Sequence, residues 1–88
     1  MLAAALLKDR LLVIYDYMAF RRGSPARNLF CYDLAGELSW RAADIRQGAV
    51  DAYVQFLSED PLWVFNFAGF ACRIDESSGV VLQTKFTK

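Results

Sequence analysis

The chain of 88 residues has no histidine, only two cysteines and two prolines, and ten basic residues balanced by ten acidic ones. Without histidine, the usual general base, the Ser/His and Cys/His nucleophile pairs and most zinc sites are excluded. A zero net charge argues against nucleic-acid binding, which normally needs a basic excess. Two cysteines are too few for a disulfide framework, and we interpret Cys31 and Cys72 as buried thiols.

Long hydrophobic runs are also missing. A membrane span needs ~20 apolar residues, and no window of this sequence reaches that length. The apolar start at residues 2–7 is followed by Lys8, Asp9 and Arg10, whereas a secretory signal has its basic residues first. We therefore predict a strand at residues 2–7, no membrane association and a cytoplasmic location.

The residues that are present favour strands. Hydrophobic residues make up 56% of the chain and aromatic residues 15%, which is too apolar for a disordered segment. Valine, isoleucine, tyrosine, phenylalanine and tryptophan fill the apolar runs, and these residue types prefer β-structure. With 88 residues, the chain is long enough for one domain. We expect a single all-β domain over residues 1–88.

Two stretches repeat the same layout. Residues 28–40 read NLFCYDLAGELSW and residues 70–82 read FACRIDESSGVVL, each with a strand, an aspartate, a short loop containing glycine and a second strand. The aspartate side chain can accept hydrogen bonds from N–H groups in the turn. Gly36 and Gly79 supply the positive φ that closes such a turn. Both stretches are therefore predicted to be tight β-hairpins.

The layout extends upstream and gives two four-stranded antiparallel meanders. Unit one covers about residues 1–43 with an insertion at 17–27, and unit two covers about residues 50–88. We predict strands near residues 2–7, 11–16, 28–33, 37–42, 52–57, 62–67, 70–75 and 80–86. Helix-like spacing over residues 44–57, or a shorter helical turn at 44–50, remains an alternative.

These hairpins resemble the repeat of quinoprotein-type (PQQ-like) β-propellers, in which a strand, an aspartate, a Thr/Ser-Gly turn and a strand ending in tryptophan follow one another. Trp40 occupies the last place in unit one, and Ser78-Gly79 forms the turn in unit two. The whole chain is also similar to small two-repeat proteins that are usually described as uncharacterised. The resemblance implies propeller-blade-like sheets, and it implies no cofactor, because no ligand residue of that family has a match here.

Alternation places apolar side chains on both faces of the central strands. In residues 62–67, Trp63, Phe65 and Phe67 share one face, while Leu62, Val64 and Asn66 share the other. Packing two sheets together hides only two of four faces, so the insertion, residues 43–51 or another chain must cover the rest. We therefore expect a homo-oligomer, and the predicted interface residues are Trp63, Phe65, Phe67 and Phe70.

The insertion is the second candidate site, because loops on a rigid sheet often carry function. Its arginines could hold a phosphate or carboxylate, and its aromatic residues could contact a partner. The candidate residues are Tyr15, Tyr17, Phe20, Arg21, Arg22 and Arg27. The adjacent carboxylates Glu59/Asp60 and Asp75/Glu76 lie in predicted turns, and no phosphate loop or metal motif is found, so we predict no enzyme activity and no metal site. The leading hypothesis is an interaction or structural module that binds a protein partner, and the alternative is a small-molecule or anion-binding protein.

Overall fold

The computed structural model describes residues 2–20, 23 and 25–87 as two four-stranded antiparallel sheets, each with its strands in sequence order. Sheet one contains β1 (Ala3–Leu7), β2 (Arg10–Ile14), β3 (Leu29–Asp33) and β4 (Leu38–Arg41). Sheet two contains β5 (Tyr53–Glu59), β6 (Leu62–Asn66), β7 (Phe70–Ile74) and β8 (Val81–Phe86). The predicted all-β class and the two four-stranded meanders are confirmed.

The predicted strand ends are close to the observed ones, and the largest differences, two residues each, are at the ends of β2 and β5. At β5 the strand runs on to Glu59. The strand β2 ends at Ile14, because Asp16 caps a short 3₁₀ helix over Tyr17–Ala19 by accepting a hydrogen bond from the Met18 N–H at 2.9 Å. The helical alternative over residues 44–57 is wrong, since β5 occupies its second half. Only a 3₁₀ helix at Gly48–Val50 is helical there, and Gly48 has a φ of +66°.

The two hairpin turns form as the sequence predicts. Gly36 and Gly79 have φ values of +85° and +78°, in the left-handed region that favours glycine. The Asp33 carboxylate accepts from the N–H groups of Ala35 and Glu37, both at 2.9 Å. Asp75 accepts from the Ser77 N–H at the same distance. Each aspartate thus satisfies turn N–H groups that would otherwise face only water.

One hydrophobic core is built from the inner faces of both sheets. Alternation is strict in β6, where Leu62, Val64 and Asn66 are buried and the residues between them are only half-buried. The core cluster consists of Leu7, Leu12, Ile14, Leu29, Cys31, Trp40, Ala42, Tyr53, Leu62, Val64, Cys72 and Ile74. Cys31 and Cys72 are buried free thiols, as predicted. The core therefore needs both sheets.

Trp40 joins β4 to the second hairpin. Its indole N–H donates to the Glu76 carbonyl oxygen at 2.8 Å, and its ring lies against Gly79. A Cβ atom on Gly79 would lie only 2.5 Å from the ring atom Cε3. The turn of unit two therefore requires glycine for its backbone angle and also for the approach of Trp40.

Within the described residues, none of the helices has the length and apolar character needed to cross a membrane.

Candidate functional site

The outer face of sheet one is covered by its own aromatic side chains. The Tyr15 ring meets Phe30 edge-on, with centroids 5.1 Å apart, and Phe30 stacks against Tyr32 at 6.3 Å. The hydroxyl oxygens of Tyr15 and Tyr32 are hydrogen-bonded at 2.7 Å. Val13 shares this outer face and is buried. The aromatic layer therefore shields the middle of sheet one from water.

The tyrosine pair has an electrostatic consequence. The hydrogen bond to Tyr15, followed by burial, raises the pKa of Tyr32 to about 12. Ionising Tyr32 would remove the proton that it donates to Tyr15, and it would place a charge against aromatic neighbours. The Tyr32 hydroxyl is therefore neutral near pH 7, and we assign the tyrosine pair a packing role.

The insertion is held against this face by a cation–π contact. The guanidinium carbon of Arg41 lies 5.6 Å from the Phe20 ring centroid and 5.0 Å from that of Phe30. The Arg41 side chain also donates to the carbonyl oxygens of Arg27 at 2.7 Å and Ala26 at 2.9 Å. Burial, with a smaller effect from the charge of Arg27, lowers the pKa of Arg41. The insertion is thus a cover for sheet one, one of the roles that the sequence predicted for it.

The predicted anion-binding residues do not come together as one site. The Arg27 side chain donates from Nε to the Ala42 carbonyl oxygen at 3.2 Å, so it supports the backbone at the end of β4. Tyr15 and Phe20 belong to the aromatic cover, whereas Tyr17 lies elsewhere, beside Phe67 of sheet two. Arg21 and Arg22 lie outside the described residues.

The outer face of sheet two is different, because in the described part of the chain no segment folds over its centre. We call this surface the open face and define it by Trp63, Phe65, Phe67, Ala71 and Arg73. Trp63 lies opposite Arg73, and Phe65 lies opposite Ala71, across β6 and β7. Trp63 and Phe65 are half-buried, while Phe67 is 56% exposed. The predicted sharing of one face is confirmed for Trp63 and Phe65, while Phe67 lies in the turn that follows β6.

Polar residues surround the aromatic centre of the open face. The outer strands place Gln55 and Ser58 beside the aromatic pair on one side, and Gln83 and Lys85 beside Arg73 and Ala71 on the other. At one end, the Tyr17 ring lies 5.8 Å from Phe67, so the insertion extends the aromatic surface. The open face is therefore an aromatic strip with a polar border.

Phe70 does not belong to the aromatic row, which corrects the sequence-based grouping. It lies opposite Asn66 in the β6–β7 register, so its side chain is on the core side of the sheet. Its ring packs against Phe86 at 5.1 Å. The short Ala68-Gly69 connection causes this, because it pairs Phe70 with the last residue of β6, whose side chain points inward.

Sequence reasoning missed a buried polar seam between the two units, which contains Asn28, Asp51 and Asn66. Asn28 donates from Nδ2 to the carbonyl oxygens of Tyr15 and Tyr53, both at 2.7 Å, and its Oδ1 accepts from the Tyr53 N–H at 2.8 Å. A buried polar group is costly without partners, and Asn28 has three. One side chain therefore links the end of β2 to the start of β5.

Asp51 forms the second half of the seam. Its carboxylate accepts from Asn66 Nδ2 at 2.7 Å and from the N–H groups of Ile45 at 2.6 Å and Gln47 at 3.1 Å. These donors hold the 43–51 segment in place and use three of the carboxylate's about four acceptor sites. A polar Asn66 at an inward position of an otherwise apolar strand was the signal in the sequence. Its partner could not be identified, because it lies in an irregular segment.

Two antiparallel meanders around one core, with a covered outer face on one sheet and an open aromatic face on the other, define the protein as an all-β domain. The chain belongs to the family described as Domain of unknown function (DUF7957), which matches residues 2–86. No curated protein and no solved structure matches the chain.

Proposed function

We propose that the protein is a non-enzymatic interaction module that needs no cofactor and binds a protein partner through the open face. The observation that carries this proposal is the contrast between the two outer faces. On sheet one, Phe20 of the insertion and Arg41 pack on Phe30, whereas in the described part of the chain no segment folds over Trp63 and Phe65, although these aromatic residues of both sheets are half-buried. We therefore expect the open face, which no other described segment covers, to bind a protein partner.

The composition of the open face fits a protein interface. Aromatic residues and arginine are enriched at the centres of interfaces, and polar residues form the rim. Trp63, Phe65 and Arg73 provide such a centre here. Burying a further ~150 Å² of aromatic surface would contribute about 4 kcal/mol at ~25 cal/mol per Å². With a contribution of this size, a few residues can supply most of the binding free energy of an interface of ordinary size.

The alternative function, binding of a small anion by the insertion, has less support. The side chains of Arg27 and Arg41 direct their donors to backbone carbonyl oxygens. We keep the propeller-blade interpretation of the sheets as part of the proposal, supported by the packing of Trp40 of one sheet on the Gly79 turn of the other. We also propose a cytoplasmic location, because buried free thiols suit a reducing compartment.

The test is a comparison of Trp63→Gln with Leu34→Gln. Leu34 is 74% exposed in the β3–β4 turn, away from the open face, and serves as the matched control. Each variant is immobilised and used to capture proteins from a native lysate. Proteins that bind to the wild type and to the control, but not to Trp63→Gln, are identified by mass spectrometry. Their binding is then measured with purified components. We expect at least tenfold weaker binding for Trp63→Gln.

The same melting temperature for both variants shows that loss of binding is not loss of fold. Equal binding by wild type, Leu34→Gln and Trp63→Gln, with Phe65→Gln also unchanged, would refute the proposal. A partner that instead binds less well to Leu34→Gln would place the interface on the hairpin turn of sheet one.

A further inference from the structure

The edges of the two sheets are not equally protected. The edge strands β1 and β5 lie against each other. The edge strand β4 has only four residues, and backbone groups that follow it are already hydrogen-bonded. Arg27 donates to the Ala42 carbonyl oxygen, and the Ala43 N–H donates to the Gly79 carbonyl oxygen. The strand β8 has six residues, and in the described part of the chain it pairs only with β7. Proteins usually blunt an edge of this length, because it is a template for pairing.

The outward groups of β8 follow from its pairing with β7. The Thr87 N–H donates to the Gly69 carbonyl oxygen at 2.9 Å, so this residue directs its backbone toward β7. In an antiparallel ladder, alternate residues bond to the same neighbour. Lys85 and Gln83 therefore also bond to β7, and Thr84 and Phe86 direct their N–H and C=O groups away from the sheet.

Apolar side chains accompany these free backbone groups. Leu82 is 54% exposed and Phe86 is 56% exposed, although Phe86 already packs on Phe70. Lys85 is the strand's one charged residue, and it lies opposite Ala71, on the open-face side of the sheet. Lys85 and Phe86 therefore lie on opposite sides of the sheet, so the Lys85 charge hinders pairing along the β8 edge only in part.

We propose that β8 pairs antiparallel with β8 of a second copy of this chain, around a two-fold axis at Thr84. The two Thr84 residues then form a hydrogen-bonded pair, in which each N–H donates to the carbonyl oxygen of the other. The same register sets Leu82 of one copy against Phe86 of the other, and Gln83 against Lys85, so no like charges meet. This self-complementarity favours a second copy over an unrelated strand, and it gives an isologous dimer.

The pairing joins the two copies of sheet two into one continuous eight-stranded sheet. Its open faces remain uncovered, because the contact runs along the edge of β8 and Trp63 lies two strands away on β6. The dimer is therefore independent of the partner binding proposed above, and each of the two proposals can fail without the other.

The first test uses the mass of the protein in solution, measured by sedimentation equilibrium at about 100 μM, a concentration at which a specific contact of this kind is populated. We expect the wild type to have twice the 10.0 kDa monomer mass. Thr84→Pro removes an outward N–H, which an edge strand tolerates, so it should be folded and monomeric. Thr84→Val keeps the N–H at the same position and should stay dimeric, as should Trp63→Gln.

The second test does not depend on the folding of the proline variant. Thr84→Cys places two thiols at the axis, at a Cα separation of ~5.5 Å that suits a disulfide. We expect rapid covalent dimer formation under mild oxidation, and much slower formation for Ser39→Cys, on the exposed part of β4. A monomeric wild type, a dimeric Thr84→Pro variant, or equal cross-linking of the two cysteine variants would overturn the proposal.

Discussion

Placing a methyl group on each hairpin glycine separates the two roles of glycine in this fold. Gly36 and Gly79 both have positive φ, but a Cβ on Gly36 would meet no atom within 4 Å, whereas one on Gly79 would lie 2.5 Å from Trp40. Gly36→Ala therefore lowers the free energy of unfolding only through backbone strain, by about 1–2 kcal/mol. Gly79→Ala adds the overpacking of a buried ring, about 1–3 kcal/mol, for a total of about 2–5 kcal/mol.

The free energy of unfolding is measured by urea titration with far-UV circular dichroism. A total loss of this size is a large part of the ~5–15 kcal/mol that stabilises a typical domain, so Gly79→Ala should be much closer to unfolding than Gly36→Ala. In a Trp40→Leu background the ring is gone, and the cost of Gly79→Ala should fall to that of Gly36→Ala. If Gly36→Ala and Gly79→Ala lower the free energy of unfolding of the wild type by the same amount within ~0.5 kcal/mol, Trp40 does not pack on the second hairpin.

Four further outcomes are expected. Asn28→Leu should lower the free energy of unfolding by at least about 3 kcal/mol in a urea titration, because it leaves the buried N–H and C=O groups of Tyr53 without partners; an effect below ~1 kcal/mol would contradict the seam. Replacing residues 18–26 with Asn-Gly should keep the β-sheet spectrum but lower stability by about 2–3 kcal/mol, because Phe20 no longer covers sheet one; a wild-type melting temperature would show that the insertion covers nothing. Because the folded-state pKa of Tyr32 is raised to about 12 from 10.0, its contribution to stability is complete below about pH 10 and is lost as the pH rises toward 12; Tyr32→Phe should reduce this alkaline loss, and an identical pH profile would speak against it. Burial raises the pKa of Cys72 to about 12 and also raises that of Cys31, so a thiol reagent at about pH 8 should label neither in the native protein and both in urea.

The strands could be predicted from the sequence because their signals are local. Alternation identified the inward face of β6, and the Asp-to-Gly spacing identified both hairpins together with the positive φ of their glycines. The same local reasoning explains the error at Phe70. Its neighbours in the sequence suggest an aromatic row, but its face is set by which residue of β6 it pairs with, and that depends on the geometry of the turn.

The candidate site depended on contacts between distant segments, which single-sequence patterns do not contain. Nothing near Arg41 indicates that Phe20, in an irregular insertion, lies over its guanidinium group. Similarly, Asp51 and Asn66 are 15 residues apart, and only the folded chain brings their side chains together. The arginines of the insertion suggested an anion site, whereas the folded chain uses Arg27 to satisfy a backbone carbonyl oxygen.

The polar seam has a consequence for how the two halves of the chain can be arranged. A contact made only of apolar side chains fixes one sheet on the other through the shapes of those side chains alone, because the hydrophobic effect has no preferred direction. The hydrogen bonds of Asn28 to Tyr53 have one distance and one orientation, and a shift of a single residue would leave three buried groups unpaired. The two halves repeat in layout, but Asn28 and Asp51 occur once each at the junction. The repeats therefore cannot exchange places, and the order in which they are joined is part of the fold.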